Sequence, residues 1–282
     1  VAVEDVLVMA TLNAAQAHRL DGHGAIAPGY RADLVVLDDL SSFEPSLVLA
    51  GGRVAARDGA AEPFPLPETP AHVLGTVRSA PLREADLALE ADGDVRVIEI
   101  VPEQLITIAR TVSPARENGR VVTDPARDLA KITVIERHHA TGRVGRGLVT
   151  GFGLRDGAFA STVAHDAHNV VAVGGDDASI LACAARLQAL GGGCVVAVDG
   201  EVTGELPLPV AGLLSDRPVE EVVDRLDSLH AQLRELGVEI GAPFMTLSFL
   251  ALSVIPALKI TDRGLVDVER FEIVPLGAAR PF

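Results

Sequence analysis

Four prolines within nine residues divide this chain more firmly than any other feature of its sequence. They lie in the segment 62–70, which reads EPFPLPETP. Proline donates no backbone N–H and fixes its own φ, so a segment with this density of proline cannot join a strand ladder or continue a helix. We therefore predict an extended linker there, with one domain at residues 1–62 and a second at residues 71–282.

The residues before the linker predict a helix followed by a few strands. Apolar residues at helical spacing indicate a helix in the first twenty residues. It is interrupted near residue 12 and begins again after Asn13, with Gln16 completing a capping pair. A short buried strand is predicted at 34–37, and a hairpin with its turn at 51–52 follows. Because the chain starts with a valine inside a predicted helix, we expect that an upstream part of the protein is absent from it.

Beyond the linker, short β-type runs alternate irregularly with helical segments. Helices are predicted at 178–190, ended by glycines, and at 218–236, with Gly237 following. The apolar run at 244–258 is too short to span a bilayer and predicts a buried core element. Strands are predicted at residues 87–90, 95–101, 132–136, 148–151, 159–164, 170–173 and 194–198. This mixture predicts an α+β fold for the second domain.

Charge and cysteine content argue against several classes of partner and site. The chain has 24 Lys and Arg against 39 Asp and Glu, a net charge of −15. Such a field repels phosphate backbones and anionic lipid, so we expect no nucleic-acid partner and no membrane partner. The two cysteines, Cys183 and Cys194, form no C-x-x-C pair. We expect them to be buried thiols in a reducing cytoplasm.

The densest group of polar side chains in an apolar neighbourhood is AHDAHN at residues 164–169. His165 and His168 are three residues apart and can face the same way in a turn, and the carboxylate of Asp166 would raise the basicity of a neighbouring imidazole. Such a group suits proton transfer or the binding of the polar edge of a ligand. The alternative is that Asp166 and Asn169 cap a turn between two strands and that the histidines are solvated.

Two further motifs carry weaker signals. His138-His139 follows a predicted strand and precedes an exit turn, which favours a surface position. The glycines at 142, 145 and 147 have the spacing of a phosphate-binding loop. No helix follows them to supply amide donors, so we do not assign a phosphate site there.

Several longer stretches resemble one protein family. MATLNAAQAHRL (9–20) and GAIAPGYRADLVVLDDL (24–40) resemble the end of an amidohydrolase barrel, where the last barrel helix leads into the strands of a small β-sandwich. Four later runs resemble the C-terminal domain of adenine deaminases: ERHHATGRVGRGLVTGFGL (136–154), GAFASTVAHDAHNVVAVG (157–174), LPLPVAGLLSD (206–216) and PFMTLSFLALSVIPALKITDRGLVD (243–267). The resemblance implies the end of a TIM-barrel helix and a β-sandwich segment at 1–62, then a mixed α+β domain at 71–282.

The resemblance implies hydrolysis of adenine to hypoxanthine and ammonia, a step of purine salvage in the cytoplasm. The nucleophile in this family is a hydroxide on a divalent metal, which lowers the pKa of bound water toward about 7. The resemblance favours manganese or iron over zinc. The superfamily's ligands include an H-x-H pair, which does not occur here, and no ligand position has a match in this chain. We therefore assign no metal ligand and expect the chain alone to be inactive and metal-free.

For individual residues, the resemblance favours His165, Asp166 and His168 as catalytic candidates and Asn169 as a substrate-binding candidate. Adenine is the implied ligand, and a homo-oligomer is expected. Two alternatives stay open. The second domain could be a non-catalytic lid or oligomerisation scaffold, or the parent enzyme could be a related amidohydrolase that acts on another cyclic amidine.

Overall fold

Two compact units make up the chain, Val1–Glu68 and Thr69–Phe282. The computed structural model describes residues 1–65 and 68–278. The boundary between the units falls within the proline-rich segment, of which residues 66 and 67 lie outside the described residues.

The first unit opens with a helical segment that is continuous through the predicted interruption. Helix α1 (Val3–Val8) leads into a π-helical turn (Met9–Asn13) and then into α2 (Ala14–Ala17). The predicted cap at Asn13 is wrong, because its backbone is helical (φ −66°, ψ −40°) and its side chain makes no capping hydrogen bond. The π-helical turn accommodates the shift in apolar spacing without ending the helix.

A four-stranded antiparallel sheet in the order β1-β2-β3-β4 completes the first unit. Its strands are β1 (Leu34–Leu37), β2 (Pro45–Ala50), β3 (Arg53–Arg57) and β4 (Ala60–Ala61). The predicted strand and hairpin are confirmed. The predicted burial of β1 is wrong, since Val35 is 60% and Val36 is 44% exposed. These side chains are exposed because the described residues of this unit form one sheet only, with no second sheet to cover it. The predicted β-sandwich and the predicted barrel helix therefore remain predictions.

An eight-stranded mixed sheet forms the centre of the second unit, in the order β14-β13-β11-β12-β9-β10-β5-β6. All neighbours are antiparallel except β5 and β10, which are parallel. Around it lie the pair β7-β8 and the three-stranded sheet β15-β16-β17. The strands are β5 (Val95–Ile100), β6 (Thr107–Val112), β7 (Arg116–Glu117), β8 (Arg120–Val121), β9 (Ala130–Ile135), β10 (Val144–Thr150), β11 (Ala158–Ser161), β12 (Val170–Gly174), β13 (Gly193–Val198), β14 (Glu201–Pro207), β15 (Leu258–Thr261), β16 (Gly264–Asp267) and β17 (Glu272–Val274).

Helices cover both faces of the large sheet, which confirms the predicted mixed α+β character. They are α3 (Asp177–Leu190), α4 (Val219–Glu235) and α5 (Pro243–Leu250). Successive side chains of a strand point to opposite faces. On β11, Ala158 and Ala160 pack with α3, whereas Phe159 packs with α4 and α5. The central strands are therefore buried on both sides, which explains why they read as unbroken apolar runs.

The glycine ends predicted for α3 and α4 are confirmed, and an aspartate that was not predicted caps the start of α3. Asp176 accepts the N–H of Ser179 at the start of α3, and Gly191 follows its end with a φ of 75°. Gly237, after α4, has a φ of 99°. In the described ranges, no helix has both the length and the apolar composition needed to cross a membrane.

The predicted strand at 87–90 is wrong. A 3-10 helix occupies Glu84–Leu87, and the carboxylate of Asp86 accepts the N–H of Arg83 at 2.9 Å, which stabilises the helical turn. The sequence patterns also missed β6, β14 and the strands β15 to β17. The two cysteines are buried and free, as predicted.

Of the three glycines that resembled a phosphate loop, Gly145 and Gly147 lie in β10, and Gly142 precedes it. A Cβ at Gly145 would sit 1.8 Å from the carbonyl oxygen of Thr261 in β15. The glycine is required there because the small sheet crosses directly over β10, and no phosphate site is involved.

Candidate functional site

The loop between β11 and β12, residues 162–169, carries the predicted polar cluster. Two hydrogen bonds close it. The N–H of His168 donates to the carbonyl oxygen of Ala164 at 2.6 Å, and the N–H of Ala164 donates to Nδ1 of His168 at 3.1 Å. The φ of His168 is 48°, in the left-handed region that few non-glycine residues adopt. The imidazole of His168 thus caps the turn of its own loop, a role that the sequence had suggested for Asp166 and Asn169.

The second histidine of the loop rests on helix α5. The ring of His165 lies 4.8 Å from the ring of Phe249 and 5.8 Å from the ring of His168, measured between centroids. His165 and His168 are half-buried, and Asp166 is exposed. The structure therefore brings the two imidazoles together, as their spacing predicted, with the carboxylate beside them facing solvent.

Asn169 is oriented by the end of β9. Its side-chain oxygen accepts the backbone N–H of Arg137 at 3.3 Å, and the residue is 5% exposed. Within the side-chain amide only the oxygen can accept a hydrogen bond, so this contact identifies which atom is the oxygen and which is the nitrogen. The NH₂ group of Asn169 is the part of the side chain left for a ligand.

Arg137 is a buried residue that sequence reasoning missed. It is 2% exposed, and its guanidinium donates through Nε to the carbonyl oxygen of His168 and through both terminal nitrogens to the carbonyl oxygen of Ala211 at 3.2 Å. Burial lowers the pKa of Arg137. Arg137 therefore ties the polar loop to a second loop near residue 211, a contact between segments far apart in sequence.

Glu136 organises the turn on the other side of the cluster. Its carboxylate accepts the N–H groups of His138 at 2.5 Å, His139 at 2.7 Å and Thr141 at 2.9 Å, and also the Thr141 hydroxyl at 2.9 Å. Burial raises the pKa of Glu136, but these hydrogen bonds outweigh it and lower the pKa to about 2. His138 is exposed, as predicted, and its Nε2 lies 2.7 Å from the carbonyl oxygen of Ala167.

His168 is held in an environment that disfavours its charged form. Burial is the main cause that lowers the pKa of His168. Electrostatic repulsion from His165 and Arg137 lowers it further, whereas attraction by Asp166 raises it. The neutral ring is therefore the resting form of His168 near neutral pH.

A cavity of about 190 Å³ lies against the loop. Asp166, His168 and Asn169 contribute to its wall from the loop, Ser253 contributes from the segment that follows α5, and Asp262 contributes from the turn between β15 and β16. The wall thus combines hydrogen-bond donors and acceptors with apolar surface, the usual composition of a small-molecule site. His165 is not part of this wall.

A larger cleft of about 520 Å³ lies along α5, lined by Met245, Thr246, Phe249 and Leu250 of that helix. Phe249 lines it and also touches His165, so the helix adjoins both recesses. Three carboxylates, those of Glu103, Asp128 and Glu239, line it. None of the residues predicted as catalytic lines this cleft.

The structure offers no ligand set for the metal that the family resemblance implies. Over residues 1–65 and 68–278, no group of three or more His, Cys, Asp or Glu side chains could hold a metal ion. His165, Asp166 and His168 therefore do not fit as a metal centre, and we derive no step through a metal from them.

The fold and this loop define a mixed α+β domain that presents polar groups at a small cavity, without metal ligands of its own in the part described. Residues 104–272 match the model of the adenine deaminase C-terminal domain, and residues 1–55 match that of the amidohydrolase family. The first match covers more than half of the chain. The chain belongs to the adenine deaminase C-terminal domain family.

Curated relatives agree with this assignment. An adenine deaminase of Oleidesulfovibrio alaskensis is 48% identical over 273 residues, which is 96% of this chain and 47% of that protein. An adenine deaminase of Dehalococcoides mccartyi is 44% identical over 268 residues (95% and 47%), and one of Bacillus pumilus is 42% identical over 273 residues (95% and 47%). The chain spans about half the length of the curated relatives it matches.

Proposed function

We propose that the full-length protein hydrolyses adenine to hypoxanthine and ammonia. The proposal is supported by identities of 42% to 48% to proteins named adenine deaminase, over almost all of this chain. The reaction consumes one water. Oxygen from water bonds to the ring carbon that bears the amino group, the neighbouring ring nitrogen gains a proton, and the amino group leaves as ammonia after taking up a second proton.

A divalent metal, manganese or iron rather than zinc, would supply hydroxide at neutral pH when bound. The match of residues 1–55 to the amidohydrolase family supports the metal. Since the described residues offer no ligand set, we place the ligands in the part of the relatives that this chain does not span.

Within this chain, we propose that the loop 162–169 supplies polar groups to the substrate. His165, Asp166 and His168 are the catalytic candidates, and Asn169 is the candidate for binding the purine. The observation that carries the proposal is the pairing of the two imidazoles, 5.8 Å apart, with His168 and Asn169 at the wall of the 190 Å³ cavity. A loop held at both ends by buried strands can present such groups with little motion.

The test is to make His165→Asn and His168→Asn separately in the full-length protein. If either histidine transfers a proton or holds the purine during attack, its replacement should lower kcat about 10²- to 10⁴-fold. A purely structural role should cost about 1 kcal/mol of stability or less and leave kcat unchanged. Turnover with adenine and Tm are measured side by side.

His139→Asn is the matched control, because His139 is exposed and belongs to the neighbouring turn. Unchanged turnover in both His165→Asn and His168→Asn would contradict the proposal and show that the two histidines have a structural role only. Assay of a panel of purines and pyrimidines tests the substrate, and preference for another cyclic amidine would replace adenine in the proposal.

The scaffold alternative has one specific observation in its favour. The edge strand β6 and the loop before it expose apolar side chains, with Leu105 46%, Ile106 47% and Ile108 50% exposed. Such a patch is typical of surfaces that pair with another protein surface, here a second copy in the expected homo-oligomer. Hydrogen exchange of residues 157–174 separates the two roles, since protection by adenine supports substrate contact and a scaffold would show none.

A further inference from the structure

Arg137 carries a positive charge in the interior of the domain without an acidic partner. None of the ion pairs among the described residues includes it. The nearest carboxylate along the chain, that of Glu136, is already bound to the turn at 138–141. A buried cation that only carbonyl oxygens satisfy is costly for folding. This cost suggests that the residue serves a purpose other than stability.

The contacts of Arg137 join two loops that are far apart in the sequence. Its Nε binds the carbonyl oxygen of His168, and its own N–H binds the side chain of Asn169. The terminal nitrogens bind Ala211, and a Cβ at Gly212 would lie 2.4 Å from Nη1 of Arg137. The guanidinium is thus enclosed by the loop near residue 211 and hydrogen-bonded to His168, whose φ is 48°.

The hydrogen-bond partner of Nδ1 determines which ring nitrogen of His168 carries the proton. A backbone N–H can only donate, so the N–H of Ala164 must meet the lone pair of Nδ1. The proton of the neutral ring is then on Nε2. Protonation of Nδ1 would set two donors against each other and break this contact. The charged and titratable groups around the ring are His165 and Asp166 on its own loop, Arg137 and His138 from the end of β9, and Asp262 across the cavity.

We infer that Arg137 is a positioning residue that holds His168 as a fixed Nε2–H donor at the cavity wall. In this arrangement His168 donates a hydrogen bond to an acceptor atom of the ligand, such as a ring nitrogen or a carbonyl oxygen of a heterocyclic base. It does not act as a proton acceptor, because Nδ1 is occupied. Any proton transfer by this loop then belongs to His165. The identity of the ligand rests on the proposed function, whereas the tautomer and the part played by Arg137 do not.

The first test uses substitutions that separate a donor from a base. In the full-length protein, His168→Gln places an amide N–H near the position of Nε2 and should retain turnover within about tenfold, whereas His168→Ala should lose about 10²-fold or more. Equal loss in both variants, with Tm unchanged, would overturn the donor role.

The second test concerns Arg137 and has a readout that does not depend on activity. In the full-length protein labelled with ¹⁵N-histidine, the wild type should show one His168 spin system with its proton on Nε2. Arg137→Lys keeps the charge but loses the three-point contact, and it should yield a mixture of tautomers and raise KM for adenine more than it lowers kcat. Arg146→Lys is the matched control, because Arg146 also donates to two backbone carbonyl oxygens, those of Asp86 and Ala88, away from the loop.

The outcomes distinguish this inference from the proposed function. A proton on Nδ1 in the wild type, or an unchanged His168 signal in Arg137→Lys, would overturn the inference whether or not the protein deaminates adenine. Should the full-length protein not act on adenine, the proposed function fails, and the NMR result still decides the tautomer. If Arg137→Lys does not fold, Gly212→Ala replaces it, because the added Cβ displaces the guanidinium of Arg137. The NMR signal of His168 in that variant then reports its tautomer.

Discussion

The ring of His165 lies 4.8 Å from the ring of Phe249, so the polar loop is supported by helix α5. Contacts of this kind contribute about 0.5–1.5 kcal/mol beyond the area they bury. We expect Phe249→Leu to lower turnover of the full-length protein about two- to tenfold, because His165 loses its lateral support. Steady-state kinetics with adenine measures the effect.

Phe244→Leu is the control for this prediction. Phe244 belongs to the same helix but packs in the core, with its ring 5.6 Å from that of Phe159. Its replacement should lower Tm more than Phe249→Leu does and leave turnover of the folded protein unchanged. The reverse order of the two effects would contradict support of His165 by Phe249.

Gly145→Ala should destabilise the second unit severely. The added methyl group meets the carbonyl oxygen of Thr261 at 1.8 Å, and backbone cannot move aside as a flexible side chain can. We expect a loss of about 3 kcal/mol in the free energy of unfolding, measured by urea denaturation. Gly241→Ala is the control, since a Cβ there meets nothing within 4 Å and should change stability by about 0.5 kcal/mol at most. Equal stability of the two variants would refute the close approach of the small sheet.

Glu136→Gln should remove a pH-dependent part of the stability. The pKa of Glu136 falls from 4.5 to about 2 on folding, which corresponds to about 3 kcal/mol. Because the folded-state pKa is the lower one, this stabilisation is complete above about pH 4.5 and is lost as the pH falls toward 2. We expect Glu136→Gln to be less stable than the wild type at pH 7 and the difference to shrink below pH 4.5.

Denaturation at a series of pH values checks this prediction. Glu201→Gln serves as the control, since Glu201 is the exposed first residue of β14 and its replacement should leave the wild-type curve unchanged. A constant difference between wild type and Glu136→Gln from pH 7 to pH 3 would show that the four hydrogen bonds do not depend on the charge.

The 282-residue chain alone should release no ammonia from adenine, with divalent metal supplied and host enzymes removed. It should also hold no stoichiometric transition metal. The reason is the lack, in the described ranges, of a group of side chains that could bind one. Elemental analysis that finds about one metal per chain would instead point to His165, Asp166 and His168 as ligands.

Much of the second unit could be predicted because its signals are local. Helix α3 has a glycine end, and α4 has an apolar stripe followed by Gly237, so each was located from a few adjacent residues. The apolar runs of β12 and β13 were equally plain because both of their faces are buried. Strand β6 was missed because most of its residues are exposed at the sheet edge, which leaves no apolar pattern to detect.

The candidate site was predictable only in part. The spacing of His165 and His168 indicated that their rings could meet, and they do. Nothing in the sequence indicated that Arg137 is buried, since it lies among polar residues and arginine is usually at the surface. Its partners at residues 168 and 211 are 31 and 74 positions away.

The sequence by itself determined the α+β character and the main helices, because propensity, capping and periodicity act between neighbours, and it predicted the division at the proline segment and the candidate loop. Only the tertiary structure decided the order of the sheet, the need for glycine beneath β15 and the tautomer of His168. These depend on which distant backbone groups come to face one another, and a donor or acceptor has no assigned partner until the chain has folded around it.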